Sequence, residues 1–189
     1  TWYVYFTAGK GGKDLGSQRS QVIQGRVSSV GESSNYSGGK SPWDSYKYHG
    51  RLINEWSIDG TVFTINRKRY FFFSCQRNKL QSICGAELLS PNRIGGIHVI
   101  TSPTQSWERK GQFPVNEAPE HIAHGGKNYL IYSASQCASQ WYALGQLALK
   151  GTNPLDAKAW VKSGPLMTSA NGNYGPGHNG LVAAGISQS

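Results

Sequence analysis

Apolar and polar residues alternate along much of this chain with a period of two. In KNYLIYSAS, residues 127–135, Tyr129, Ile131 and Ser133 face one way and Leu130, Tyr132 and Ala134 the other. That is the pattern of a strand whose side chains point alternately to its two faces. Similar segments, separated by turn residues, predict strands at TWYVYFT, QRSQVIQGRVSS, YKYHGRLI, GTVFTI, RYFFFSC, SICGAELLS, IHVIT, HIAHGG leading into KNYLIYSAS, WYALGQLAL and WVKSGPLM. SSVGESSNYSGGKSP, residues 28–42, is a flexible surface loop by composition. No long helical stripe occurs, and the one helical turn expected is at NPLDAKAW. The chain therefore reads as all-β.

The strands repeat. An aromatic strand ending in Ser appears as YFFFS at 70–74 and as YLIYS at 129–133. A second strand follows each, SICGAELLS and YALGQLAL, and then a Pro and a Trp-bearing strand, in PTQSWERKG and PLDAKAWVKSG. The start of the chain, with WYVYFTAG, VIQGRVSSV and SPWDSYKYHG, adds a third copy. A spacing of roughly 60 residues and about four strands per copy is the content of a β-propeller blade. Blades bury their faces only against neighbours, in rings of about four to eight. Three blades and a remnant imply that more chain, or another surface, covers the edges.

Composition narrows the function classes. The 189 residues suffice for one domain with a real core, and 24 glycines and 8 prolines fit many turns. No window approaches about 18 continuous apolar residues, so no membrane span is expected. The formal charge of +9 raises an anionic partner as a possibility. The dense basic run, Arg67, Lys68 and Arg69 in NRKRY, sits between two apolar strands and reads as a solvated hairpin turn. No aromatics interleave with basic residues as a nucleic-acid groove requires, so no nucleic acid is expected. A basic β-protein with an anionic partner stays as an alternative, marked by affinity that falls steeply with salt. Cys75 and Cys84 flank a predicted loop and are candidates to pair; with Cys137 the count is odd, and no CxxC pair suggests zinc. Asn35-Tyr36-Ser37 matches a glycosylation acceptor that matters only in a secreted protein.

Three loops precede repeated strands: NEWSIDGTVF, PVNEAPEHI and NYGPGHNGL. In a propeller the innermost strands line the axis, so Asp59, Glu117 and His178, one per loop, are expected to converge there. Two carboxylates on adjacent inner strands suit glycoside hydrolysis, in which one must stay protonated through burial or a neighbouring carboxylate. Trp56, Trp107 and Trp141 are candidate walls for stacking sugar rings. Simpler readings stand beside these: Asp59 before Gly60 as a turn residue, Glu120 as a surface or strand-edge charge, and His178 as an ordinary loop histidine.

WSIDGTVF, SPTQSWERKG, PVNEAPE, YLIYSAS, YALGQLAL and YGPGHN, in that order, resemble glycoside hydrolase family 43, most closely its α-L-arabinofuranosidase-like branch. The resemblance implies a five-bladed β-propeller and hydrolysis with inversion. It makes Glu117, rather than Glu120, the general acid, and Asp59 the carboxylate that tunes and orients it. Ala118 replaces the Gly of the family's NEGP-type motif, a change expected to be tolerated at negative φ. His178 resembles the family's axial histidine, which in some members faces a cation through water, so a structural calcium is conceivable although no cofactor is required. Ser133 joins Trp56, Trp107, Trp141 and His178 as expected substrate-binding residues. The family's general-base Asp precedes the strand matched by TWYVYFT; Asp14 and Asp44 match no base motif. Residues 1–189 are thus expected to be the central part of a single propeller catalytic domain. The chain opens on a strand, without Met or a charged leader, as a mature secreted protein or a fragment would. The implied partner is an arabinan- or arabinoxylan-type polysaccharide and the implied location extracellular, with a non-catalytic carbohydrate-binding propeller as the alternative.

Overall fold

The computed structural model describes residues 3–9, 15–26 and 45–181. The loop at 28–42 with Asn35, as well as Asp14, Asp44 and the stretch after Leu181, lie outside the described residues. Among the described residues no helix is long and apolar enough to cross a membrane.

Twelve described strands form three antiparallel sheets. The first contains β1 (Tyr3–Ala8), β2 (Arg19–Arg26) and β3 (Ser45–Arg51). The second contains β4 (Ser57–Ile65), β5 (Lys68–Arg77), β6 (Leu80–Ser90) and the short β7 (Arg93–Ile94), with β8 (His98–Thr101) also paired to β6. The third runs β9 (Asn116–His124), β10 (Lys127–Ala134), β11 (Ala143–Leu149) and β12 (Trp160–Met167), each beside the next. The sequence pattern located eleven of these; β7, two residues long, has no periodicity to read. Its IHVIT segment is β8, and its turn at NPLDAKAW is a short 3-10 turn, Ala157–Ala159.

Turn chemistry sets the hairpins. Asn66-Arg67, Asn78-Lys79 and Gly125-Gly126 each place two left-handed residues between paired strands. That backbone twist matches the flanking strands, and Asn and Gly tolerate it best. The basic run at 67–69 is accordingly a hairpin turn and its exposed flank, as expected.

The middle sheet is covered on both faces, which explains three consecutive buried phenylalanines. Phe72 points with Phe63, Ile83 and Ile100 toward Leu130, Tyr132, Leu147 and Trp160 of the third sheet. Phe71 and Phe73 point the other way, with Leu52, Ile53 and the half-buried Tyr5 of the first. Period-two alternation within one strand thus feeds two cores. Cys75 and Cys84 pair as a disulfide across β5 and β6, while Cys137 is exposed and free.

One expectation from the repeat fails. Trp107 lies in a 3-10 turn, Ser106–Glu108, and not on a strand. The strand of the second sheet corresponding to β12 is β8, and the PTQSWERKG segment follows it. The reason is Glu108, whose carboxylate accepts the N–H groups of Thr104 (2.8 Å) and Gln105 (2.7 Å), folding the segment back on itself.

Candidate active site

Two edge strands, β4 and β9, meet where the second and third sheets adjoin. Each carries a bulge. In β4, Ile58 pairs with Ser74 and Thr61 with Phe72, so Asp59 and Gly60 together oppose Phe73. In β9, Glu117 pairs with Ser133 and Glu120 with Ile131, so Ala118 and Pro119 together oppose Tyr132. The first bulge residue is left-handed in both: Asp59 at φ 53° and Ala118 at φ 48°. This is the bulge geometry that ordinarily selects glycine at its first position.

The bulges decide which side chains meet. Residues three apart in a regular strand point to opposite faces. The extra residue restores Glu117 and Glu120 to one face. Thr61 Oγ1 donates to Glu120 Oε2 at 3.2 Å, and Ala118 N lies 3.3 Å from Asp59 Oδ2. Asp59 is therefore a bulge residue inside a strand and not a hairpin turn. Glu120 is a half-buried strand-edge carboxylate, raised above its ordinary value mainly by burial and drawn down by Thr61 and His178. At Gly60 a Cβ would overlap the Phe71 ring, so the second position of that bulge is closed to other residues.

The expectation of a negative φ at Ala118 is corrected: the residue is left-handed, because it opens the bulge. An L-residue there carries a steric cost of about 1 kcal/mol that Gly avoids. Ala118→Gly is expected to raise stability by up to about 0.5 kcal/mol, since the greater unfolded-state freedom of Gly offsets part of the relieved strain. The shift in urea midpoint at unchanged slope measures it; a lower midpoint would contradict the strain.

Glu117 is held on both oxygens. Tyr142 donates to Oε1 at 2.7 Å and Gln81 Nε2 to Oε2 at 2.5 Å. Burial raises its carboxyl above the ordinary range, and the Asp59 charge adds to that; Tyr142, Gln81 and His178 pull it back. Tyr142 is itself raised, by burial and then by Glu117, so it stays a donor. Asp59 Oδ2 accepts from Ser74 Oγ at 2.9 Å.

His178 belongs to the same neighbourhood, since its charge acts on both Glu117 and Glu120. Its backbone N–H donates to Ser133 Oγ at 2.6 Å. Ser133 is fully buried, so it supports the His178 loop from behind. The tryptophans are dispersed. Trp56 donates its indole N–H to the Leu15 carbonyl at 3.0 Å. Trp107 and Trp141 line a separate cavity of about 350 Å³ with Lys110, Gln140 and Ser169, and neither Asp59 nor Glu117 lines it. Among the described residues no group of three His, Cys, Asp or Glu is placed to hold a metal ion.

Behind Glu117 stands a network that periodicity could not announce. Glu108 is fully buried; besides Thr104 and Gln105 it accepts from Asn116 Nδ2 (3.0 Å), Tyr132 OH (2.8 Å) and Lys162 Nζ (2.7 and 2.9 Å). Asn116 is also fully buried and immediately precedes Glu117, so the network fixes the start of β9. Burial lowers Lys162, and Glu108 partly restores it. Gln81, Tyr142 and Ser74 also went unassigned in the sequence, although the repeated terminal serine was a signal for Ser74.

Comparison with known proteins places the chain in a family. The chain is 34% identical over 196 aligned positions to an extracellular exo-α-(1→5)-L-arabinofuranosidase of Streptomyces avermitilis, covering 97% of this chain and 37% of that protein. It is 34% identical over 191 positions to α-L-arabinofuranosidase 43 of Humicola insolens, covering 94% and 36%. The chain thus spans little more than a third of the length of these two relatives. The crystal structure of an α-L-arabinofuranosidase from Lactobacillus brevis superposes with a TM-score of 0.76 at 26% identity, covering 94% of this chain and 56% of that one. A thermostable family-43 glycoside hydrolase superposes at 0.71 with 25% identity, over 94% and 56%. The family model of glycosyl hydrolases family 43 matches residues 1–185. With the family model matched over residues 1–185 and two relatives at 34% identity, the chain belongs to glycosyl hydrolases family 43.

Proposed function

We propose that this chain carries the acid half of an inverting glycosidase site acting on arabinose-containing plant polysaccharide, in the manner of an α-L-arabinofuranosidase. Glu117 is the general acid, which protonates the departing glycosidic oxygen as the bond to the anomeric carbon breaks. Asp59 is the modulator: it ionises first, and its charge makes the second ionisation of the pair, that of Glu117, costly. Water attacks the opposite face of the sugar, activated by a general base that we assign to no residue of this chain. The observation that carries the reading is the setting of Glu117: Tyr142 and Gln81 hold its two oxygens, and burial, aided by the Asp59 charge, raises its carboxyl above the ordinary value.

The three sheets are read as consecutive blades of a five-bladed propeller, with β4 and β9 as inner strands and residues 1–189 as the central part of one catalytic domain. His178 lines the sugar pocket. A calcium ion prefers oxygen ligands, and the described side chains near His178 do not build such a cage, so no step is routed through a cation. We place the protein outside the cell. The Cys75–Cys84 disulfide suits an oxidising compartment, and the Streptomyces relative is named extracellular.

Linear α-1,5-arabino-oligosaccharides incubated with the full-length protein and followed by proton NMR test this reading. The expected result is release of arabinose whose first-formed anomer is β. First-formed α-arabinose would exclude inversion, and binding by calorimetry without any product would make the protein a carbohydrate-binding module.

A further inference from the structure

We propose that Ser74 is a positioning residue that locks the two carboxylates of the site to each other. Its hydroxyl makes two bonds at once. It donates to Asp59 Oδ2 at 2.9 Å and accepts the backbone N–H of Ala118 at 3.1 Å. Ala118 follows Glu117, so one buried oxygen ties the modulator's side chain to the acid's main chain. Ser74 has no exposed surface, so water does not substitute for either bond.

The arrangement recurs, which argues against accident. Ser133 stands 59 positions after Ser74 (133 − 74) at the end of the corresponding aromatic strand, also fully buried. Its hydroxyl accepts the backbone N–H of His178 at 2.6 Å. His178 is left-handed at φ 52°, like Ala118 and Asp59. In each repeat, the serine ending the second strand catches the N–H of the left-handed residue in the next repeat. At the first joint the left-handed residue facing Ser74 is Asp59 itself, whose carboxylate is the serine's second partner. At the other joint the second partner of Ser133 is the Tyr142 side chain, which donates to Glu117. The charged and titratable groups facing Glu117 are Asp59 from β4, Tyr142 from the segment before β11, and His178 from the loop after β12. Of these, Asp59 is the one Ser74 holds.

The inference rests on the proposed roles of Glu117 and Asp59, and the test separates the two. Ser74→Ala and Ser74→Thr are made in the full-length protein. The Glu117 carboxyl is titrated by carbon-13 NMR, its signal assigned by loss in Glu117→Gln, and the pH profile is measured on arabino-oligosaccharide. With Ser74→Ala the freed Asp59 carboxylate repels Glu117 less. Its titration midpoint and the alkaline limb of kcat are expected to move down together, with kcat falling about tenfold and KM changing less than about threefold. Ser74→Thr keeps the hydroxyl, and Thr7 ends the first aromatic strand at the matching place in YVYFT. It is expected to restore the midpoint and most of kcat despite an added methyl group. If Ser74 only packs, Thr is worse than Ala and neither moves the titration; that outcome overturns the proposal. Failure of the unaltered protein to cleave the oligosaccharide would count against the hydrolase reading, while the titration would still report the coupling.

Discussion

Glu117→Gln is expected to lower hydrolysis of an unactivated arabino-oligosaccharide by about a hundred- to ten-thousandfold, the usual worth of a positioned general acid. The amide is close in size to the carboxyl and leaves Gln81 and Tyr142 near it, but it has no proton to give. An aryl arabinoside whose leaving group departs unassisted is expected to lose far less, and that contrast separates loss of the acid from misfolding. The pH dependence follows from the direction of the shift. Glu117 must be protonated to act. Burial and Asp59 raise its carboxyl, so activity is expected to persist above the ordinary carboxylate range and to fall as pH rises through the raised value. In Glu117→Gln that limb should vanish. Tyr142→Phe removes a donor that favours the charged form, so the limb should move to higher pH. The same shift has a cost in stability. Between its unfolded and folded values Glu117 binds more protons in the native state, so its contribution to stability falls as pH rises through that window. Equal losses on both substrates, or an unmoved limb, would remove Glu117 from the acid's role.

The second large effect falls on a residue that performs no chemistry. Glu108→Ala is expected to cost roughly 3–5 kcal/mol, the range for removing one partner of a buried ion pair. It strips acceptors from Lys162, Tyr132, Asn116 and the N–H groups of Thr104 and Gln105 together. Domains of this size have about 5–15 kcal/mol in all, so chemical denaturation should show a much lower midpoint. Lys162→Met should cost less, because Glu108 keeps its other four donors. Catalysis should suffer too, since Asn116 anchors the start of β9 one residue before Glu117. A loss below about 1 kcal/mol in Glu108→Ala would show that the network does not hold this region.

The sequence by itself determined the strands, the hairpins and the family. Period-two alternation located the strands because a half-buried sheet leaves that mark on every second residue. The spacing of the aromatic strands marked the repeated sheets, and the family motifs pointed to Asp59 and Glu117 among ten acidic residues. Only the tertiary structure decided how these two meet. A bulge inserts one residue and reverses the facing of everything after it, and nothing in IDGT or EAPE states which residue is the extra one. For that reason the left-handed backbone at Ala118 was not legible, whereas the strand expected at Trp107 failed on Glu108, which folds that segment back. Glu108 was invisible for a related cause. An acidic residue in SWERKG reads as exposed until Tyr132 and Lys162, 24 and 54 residues away, join its local donors, and that gathering exists only once the strands have packed.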